Sequence, residues 1–247
     1  TRYYDLTTYE GLSRQLNEAL FDENVKAIVL DINSPGGMVS GLYDLCDEIR
    51  AASELKEVKA RASGQACSAA YAIGASCSEF VAGDASMIGS IGVIMTHADW
   101  SGFNERYGLK VTHITSGAAK ADGSPDLPLT EESKSRLKKQ VDDLAEIFFS
   151  RVAAWRGTTA EIIRSLEANV FVAQAAVELG LIDGIASLET IVQGALGGSQ
   201  GGETMKNQKG TPEGSASNVV QLTDTLEVVR AQFPNAIKAA LDEGKKF

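Results

Sequence analysis

Three short segments of this 247-residue chain carry residue types suited to acyl transfer. Ser68 stands in Ala66-Cys67-Ser68-Ala69-Ala70-Tyr71, Lys120 ends Ser116-Gly117-Ala118-Ala119-Lys120, and Asn33-Ser34-Pro35-Gly36-Gly37 forms a glycine turn. A serine hydroxyl is a weak nucleophile at neutral pH and needs a neighbour to take its proton. Histidine is the usual partner, but His97 and His113 are the only two here. A lysine serves as well if its ammonium loses a proton near neutrality. Bringing a lysine from ~10.4 to ~7 or 8 costs about 4 kcal/mol, which burial can supply. Lys120 is therefore expected to be buried. The glycine turn, for its part, can aim a backbone N–H at the developing oxyanion.

Each of these residues also has a plainer reading. Ser68 at a helix start could be an N-cap, Lys120 a solvated loop lysine, and Gly36-Gly37 an ordinary tight turn. Their coincidence with Gly89-Ser90-Ile91-Gly92-Val93 and with each other favours the chemical reading. Cys67 abuts Ser68 and is a rival nucleophile, although a small buried hydrophobe explains it. The three cysteines, Cys46, Cys67 and Cys77, make an odd, unclustered set. They support neither a disulfide framework nor a metal site, so no metal or cofactor is expected and the compartment is read as reducing.

The elements that must position these residues follow from local pattern. Lys26–Ile32 is a near-continuous apolar run, the mark of a strand covered on both faces. The glycine turn follows it, and Val39, Leu42, Leu45, Cys46 and Ile49 mark the inner face of a helix ending near Ser53. A second strand near Val58–Ala62 leads through Ser63-Gly64-Gln65 to a small-residue helix, Ser68–Ser76. Ser68 then lies in the first turn, where unpaired N–H groups and a partial positive charge gather. Ile91–Met95 reads as a further strand, with His97 behind it. Thr130–Ala154 reads as a long helix whose stripe of Leu137, Val141, Leu144, Ile147, Phe148 and Val152 packs in the core. Thr158–Leu166 reads as a short capped helix, and Gly180 as a helix stop before a return strand.

On a larger scale, 44% apolar and 23% charged residues suit an α/β domain with a substantial core. The net charge of −10 argues against a nucleic-acid partner or an anionic membrane surface. No run approaches the ~18 apolar residues of a membrane span. Three regions are expected: a catalytic domain over 1–196, a Gly/Ser-rich flexible linker over 197–217, and a short helical tail over 218–247. The tail has helical spacing at Leu222, Leu226, Val229, Phe233, Ile237 and Leu241, interrupted by Pro234.

The order Ser-Pro-Gly-Gly, Cys-Ser-Ala, Gly-Ser-Ile-Gly-Val and Ser-Gly-Ala-Ala-Lys-Ala-Asp-Gly resembles the signal-peptide-peptidase (protease IV) family of serine peptidases, in the Clp-protease/crotonase superfamily. The resemblance covers roughly residues 1–195. Within the family it is most similar to the head-maturation proteases of lambda-like phages, through Pro-Gly-Gly-Met-Val and the Lys120–Pro125 run. It implies a spiral of repeated β-β-α units carrying a Ser-Lys dyad: Ser68 as nucleophile, Lys120 as general base, and Ser90 hydrogen-bonding the lysine to orient it. The oxyanion hole would use the backbone N–H groups of Gly37 and Ala69. Ala69-Ala70 replaces the Gly-Gly of many family members.

The same resemblance implies an endopeptidase that cuts phage scaffold and portal-type proteins, and itself, during procapsid maturation. Scaffold, portal and major capsid proteins would be its substrates or partners, inside the assembling procapsid in the host cytoplasm. It also implies homo-oligomeric rings or domes, a scaffold-like tail, and Met205 as a candidate internal start. Alternatives are a host-type signal-peptide peptidase and a mainly structural assembly protein. The Clp branch uses Ser-His-Asp, which makes His97 the rival base. The lysine reading is preferred because the Gly-Ser-Ile-Gly and Ser-Gly-x-x-Lys segments belong to the lysine branch.

Overall fold

The computed structural model describes residues 7–197 and 219–222, the last four by backbone alone. In chain order the elements are α1 (Tyr9–Phe21), β1 (Ala27–Ser34), α2 (Leu42–Ser53), β2 (Glu57–Cys67), α3 (Ala69–Ala75), β3 (Glu79–Ala82) and β4 (Met87–Gly89). Then come α4 (Ser101–Arg106), α5 (Glu131–Arg156), α6 (Ala160–Ser165), β5 (Val170–Val172), α7 (Ala173–Glu178), β6 (Gly184–Ile185), α8 (Leu188–Leu196) and β7 (Val219–Leu222). The described residues divide into two compact units. The first holds 7–91, 155–157, 168–197 and 219–222, and the second 92–154 and 158–167. The second unit falls within the 1–196 stretch that the sequence reading treats as one domain, whereas the first extends beyond it through residues 197 and 219–222.

The first unit is built on a mixed sheet with the order β5-β4-β2-β1-β7, and with β3 and β6 branching from β2. All pairs are parallel except β4 with β5. The apolar run of β1 is buried from Ala27 to Leu30, as a strand covered on both faces requires. The helix after the glycine turn buries Leu42, Leu45, Cys46 and Ile49 as its spacing predicts. A hydrophobic cluster of Ala27, Val29, Val81, Ile191 and Ala195 joins α8 to the sheet.

β2 departs from expectation by running on to Cys67. Ser63-Gly64-Gln65, read as the strand's end, is a bulge inside it: Ile32 pairs with Ala62, but Ser34 pairs with Ala66. Asn33 fills the gap, its Oδ1 accepting from the Gln65 N–H at 3.0 Å. A Cβ on Gly64 would lie 2.4 Å from that oxygen, so glycine is what lets the strand continue. Past the bulge β2 changes neighbours, from β3 at Lys59–Ala62 to β4 at Gln65–Cys67. The sheet therefore forks and curls at the end of β2, which delivers residue 68.

The small helix α3 packs as closely as its composition allows. A Cβ on Gly74 would meet the Phe80 ring at 2.6 Å, and Tyr71, fully buried, donates to the Leu181 carbonyl at 2.9 Å. Further on, Ile91–Met95 is irregular rather than a strand, since pairing with β2 ends at Gly89. β7 corrects the start of the expected helical tail: residues 219–222 are extended and pair with β1 from Ala27 to Leu30. The linker beyond Gly197 and the tail beyond Leu222 lie outside the described residues.

In the second unit, α5 is the long helix expected, but only Phe148, Val152 and Ala153 on it are buried. The upper part of its stripe is half-buried at most and Ile147 is exposed, so core packing accounts for the lower turns alone. α6 is capped by Thr159, whose hydroxyl accepts from the Ile162 N–H. Among the described residues no helix is long and apolar enough to cross a membrane.

Candidate active site

Ser68 occupies the N-cap position of α3 without acting as a cap. Its side chain makes no capping hydrogen bond, and its backbone sits at φ 52°, ψ −122°, a conformation that costs a non-glycine residue about 1–3 kcal/mol. Backbone bonds hold it there. Its N–H donates to the Gly89 carbonyl at 2.9 Å, and its own carbonyl accepts from Ala72 at 3.1 Å, closing the first turn of α3. The sharp strand-to-helix corner leaves the serine half-buried.

The glycine turn lies directly against this corner. A Cβ on Gly36 (φ 126°) would fall 2.7 Å from the Ser68 Cβ and 3.2 Å from its Oγ. One on Gly37 would fall 3.8 Å from the Ala69 Cβ and 2.8 Å from the Tyr9 hydroxyl oxygen. The Gly36 N–H is committed to Ser34 Oγ at 3.3 Å. Among the described residues the N–H groups of Gly37 and Ala69 have no partner, so two free donors flank Ser68.

Ser90 belongs to the same unit. It follows Gly89, which pairs with Cys67, has φ 51°, and donates its N–H to the Asn169 carbonyl at 2.9 Å. Gly89 (φ 128°) has no room for a side chain, since a Cβ would meet that carbonyl at 2.4 Å. Cys67, the rival nucleophile, is buried; its thiol points to the Met87 carbonyl at 3.6 Å, and burial pushes its pKa up. A thiol held that way resists forming the thiolate it would need.

Lys120 belongs to the second unit, at the end of a turn in which its N–H donates to Gly117 at 3.2 Å. It is exposed, as is every residue from Thr112 to Ala119. The expected burial is thus not met in a single chain. The loop behind the lysine is nevertheless firmly tied. Asp122 accepts from Ser133 Oγ at 2.8 Å and from Arg136 Nη2 and Nε at 2.9 and 2.5 Å. Those bonds, Arg136 first and Ser133 second, lower the Asp122 carboxyl to about 2. His97 Nδ1 lies 3.3 Å from the Gly123 carbonyl. A carbonyl only accepts, so Nδ1 is the donor in this bond and the ring helps hold the lysine loop.

The first unit therefore brings together Ser68, Ala69, Gly36, Gly37 and Ser90. Sequence reasoning missed Tyr9, whose hydroxyl donates to the Met38 carbonyl at 2.6 Å, because no spacing links residue 9 to the turn. Asp122, inside the Lys120–Pro125 run, carries no sign of its role in the sequence, since its partner Arg136 lies in α5. Among the described residues no group of three or more His, Cys, Asp or Glu side chains could hold a metal ion.

Peptidase family S49 matches residues 50–198, more than half of the chain, and the match includes Ser68, Ser90 and Lys120. The chain belongs to that family. Gly36, Gly37 and Tyr9 lie ahead of the stretch matched to S49. The S49 chain is 29% identical over 241 residues to the capsid assembly protease C of Escherichia phage lambda, covering 95% of this chain and 55% of that protein. It is 32% identical over 216 residues to the head-tail preconnector protein GP5 of Enterobacteria phage P21, covering 86% of this chain and 43% of that protein. It thus spans about half the length of these curated relatives.

Proposed function

We propose that this chain is a serine endopeptidase in which Ser68 attacks the scissile carbonyl and Lys120 is the general base. The observation that carries the reading is the corner at Ser68: a strained, uncapped serine pressed against a glycine turn, with the Gly37 and Ala69 N–H groups unspent beside it. As Ser68 Oγ bonds to the carbonyl carbon, its proton passes to Lys120 Nζ and the oxyanion takes those two N–H groups. The tetrahedral intermediate then collapses, the C–N bond breaks, and the lysine returns the proton to the leaving amine. Water repeats the sequence on the acyl-enzyme and frees Ser68. Ser90 orients the lysine by accepting from its ammonium.

Lys120 is exposed in one chain, so the reading requires that assembly of several copies shelters the amine. The forked sheet is consistent with the Clp/crotonase-like spiral of β-β-α units. By likeness to the two phage proteins, the substrates are scaffold and portal-type proteins and the chain itself, cut inside the assembling procapsid in the host cytoplasm. Residues 197–217 act as a linker to a scaffold-like tail, 218–247, with Met205 as an internal start.

Self-cleavage of the full chain tests this. Wild type should shed its tail on incubation, Ser68→Ala should stay intact, and Lys120→Ala should be slower by about a hundred- to ten-thousandfold. His97→Ala should keep activity within a few-fold, because its bond to Gly123 only braces a loop. A Lys120→Ala variant with full rate would remove the dyad.

A further inference from the structure

We propose that Tyr9 is a positioning residue for the oxyanion turn, its hydroxyl and ring fixing the backbone from Gly37 to Gly41 so that the Gly37 N–H keeps its aim beside Ser68. The inference rests on the peptidase reading above and adds a residue outside the stretch matched to the family.

A turn of Ser-Pro-Gly-Gly-Met has little to hold it. Gly36 and Gly37 give it wide conformational freedom, Met38 is 75% exposed, and the two local side-chain bonds to Ser34 Oγ are long: it accepts from the Gly36 N–H at 3.3 Å and donates to the Gly36 carbonyl at 3.4 Å. Oxyanion donors act only if they are aimed before the charge forms. Tyr9 supplies the missing restraint at three points. Its hydroxyl donates to the Met38 carbonyl at 2.6 Å. The same oxygen occupies the space a Gly37 Cβ would need, 2.8 Å from that position. Its ring edge lies 3.4 Å from where a Gly41 Cβ would be, and Gly41 (φ 81°) is the N-cap of α2. Residue 9 thus touches the connection between β1 and α2 from Gly37 to Gly41.

Tyr9 is itself well held. It opens α1 behind the Thr8 cap, whose hydroxyl accepts from the Gly11 N–H at 3.0 Å, and α1 is tied to α2 by the hydrogen bond from Ser13 to Glu48. Burial, and next to it the Cys46 thiol, raise the pKa of the phenol. Its hydroxyl therefore stays protonated and able to donate throughout the neutral range.

The full-length chain with Tyr9→Phe separates this role from packing, because phenylalanine keeps the ring and loses only the hydroxyl. Hydrolysis of dye-labelled casein gives kcat and KM. The tripeptide aldehyde acetyl-Leu-Leu-norleucinal gives a second readout, since it forms a hemiacetal whose oxygen lies where the oxyanion would. Tyr9→Phe should lower kcat about five- to tenfold with KM unchanged, as one lost hydrogen bond allows, and should raise the aldehyde Ki by the same factor. Thr8→Ala, which weakens the same helix, should lower the unfolding midpoint and leave the aldehyde Ki alone. Equal kcat in wild type and Tyr9→Phe, or a loss confined to KM with the aldehyde Ki unmoved, overturns the assignment while the peptidase reading stands. A wild-type chain that neither cuts casein nor binds the aldehyde overturns both.

Discussion

A Cβ on Gly36 would have to share space with the nucleophile. It would fall 2.7 Å from the Ser68 Cβ and 3.1 Å from the Cys67 carbonyl, at a φ of 126° that side chains rarely adopt. The strain alone costs about 1–3 kcal/mol, and the clash must push the turn away from Ser68, taking the Gly37 N–H with it. Gly36→Ala should therefore lower casein hydrolysis by about a hundredfold or more, the usual consequence of losing one oxyanion donor. Gly157→Ala is the control: φ there is 64°, but nothing lies within 4 Å of the added carbon, so stability should fall and activity per folded chain should not. Equal rates for the two variants would detach the turn from the chemistry. At this scale the sequence is most readable where the proposed chemistry and the observed backbone call for the same residue, as at Ser68, Gly36 and Gly37. It is silent on Tyr9, because a tyrosine opening a helix looks like any other half-buried aromatic.

Strands and helices explain both what was legible and what was not. The apolar run of β1 and the inner face of α2 are local patterns, and the structure keeps them. Ser63-Gly64-Gln65 reads as a chain turn because its accommodating partner, Asn33, comes from another strand. The lysine loop is similar: Asp122 and Arg136 are too far apart in sequence for any helical or strand periodicity to pair them. Their bond has a measurable pH signature. A carboxyl held at about 2 when folded and near 4 when unfolded stabilises the loop above pH ~4, and that contribution is lost as pH falls toward 2. Arg136→Gln removes the first cause of the depression, so the Asp122 carboxyl carbon should titrate closer to 4 by NMR. Amide exchange over residues 120–126 should quicken and proteolysis should slow. Lys138→Gln, which breaks only a solvent-facing pair with Asp142 on the same helix, should change none of these. An Asp122 titration unmoved by Arg136→Gln would mean that the loop is anchored by something else.

For the whole chain, the question is what covers the second unit. Ile94 and Ile114 are 88% and 97% exposed, and Trp100, Phe103 and Tyr107 form an aromatic run, Trp100 edge-on to Phe103 and Phe103 tilted against Tyr107, that is more than half exposed. The upper apolar stripe of α5 is left partly open as well. Scattered apolar residues on a surface mean little, but this density within one unit is what a protein leaves for a partner. In the proposed mechanism the same partner has to exclude water from Lys120, so copies of this chain are the economical choice: one association would bury the apolar residues and the amine together. The amphipathic spacing of α5 was legible in the sequence, whereas the identity of its cover was not, because periodicity marks an apolar face without saying whose surface meets it. If association completes the site, specific activity should rise with chain concentration and level off as sedimentation shows the oligomer filling. Ile114→Asp, which places a charge on an exposed position without touching the core, should shift the chain to monomer with its unfolding midpoint unchanged. It should also abolish casein hydrolysis while Ser68 and its glycine turn stay intact. A monomer that cuts casein as fast as the assembled wild type would show that one chain shelters its own lysine.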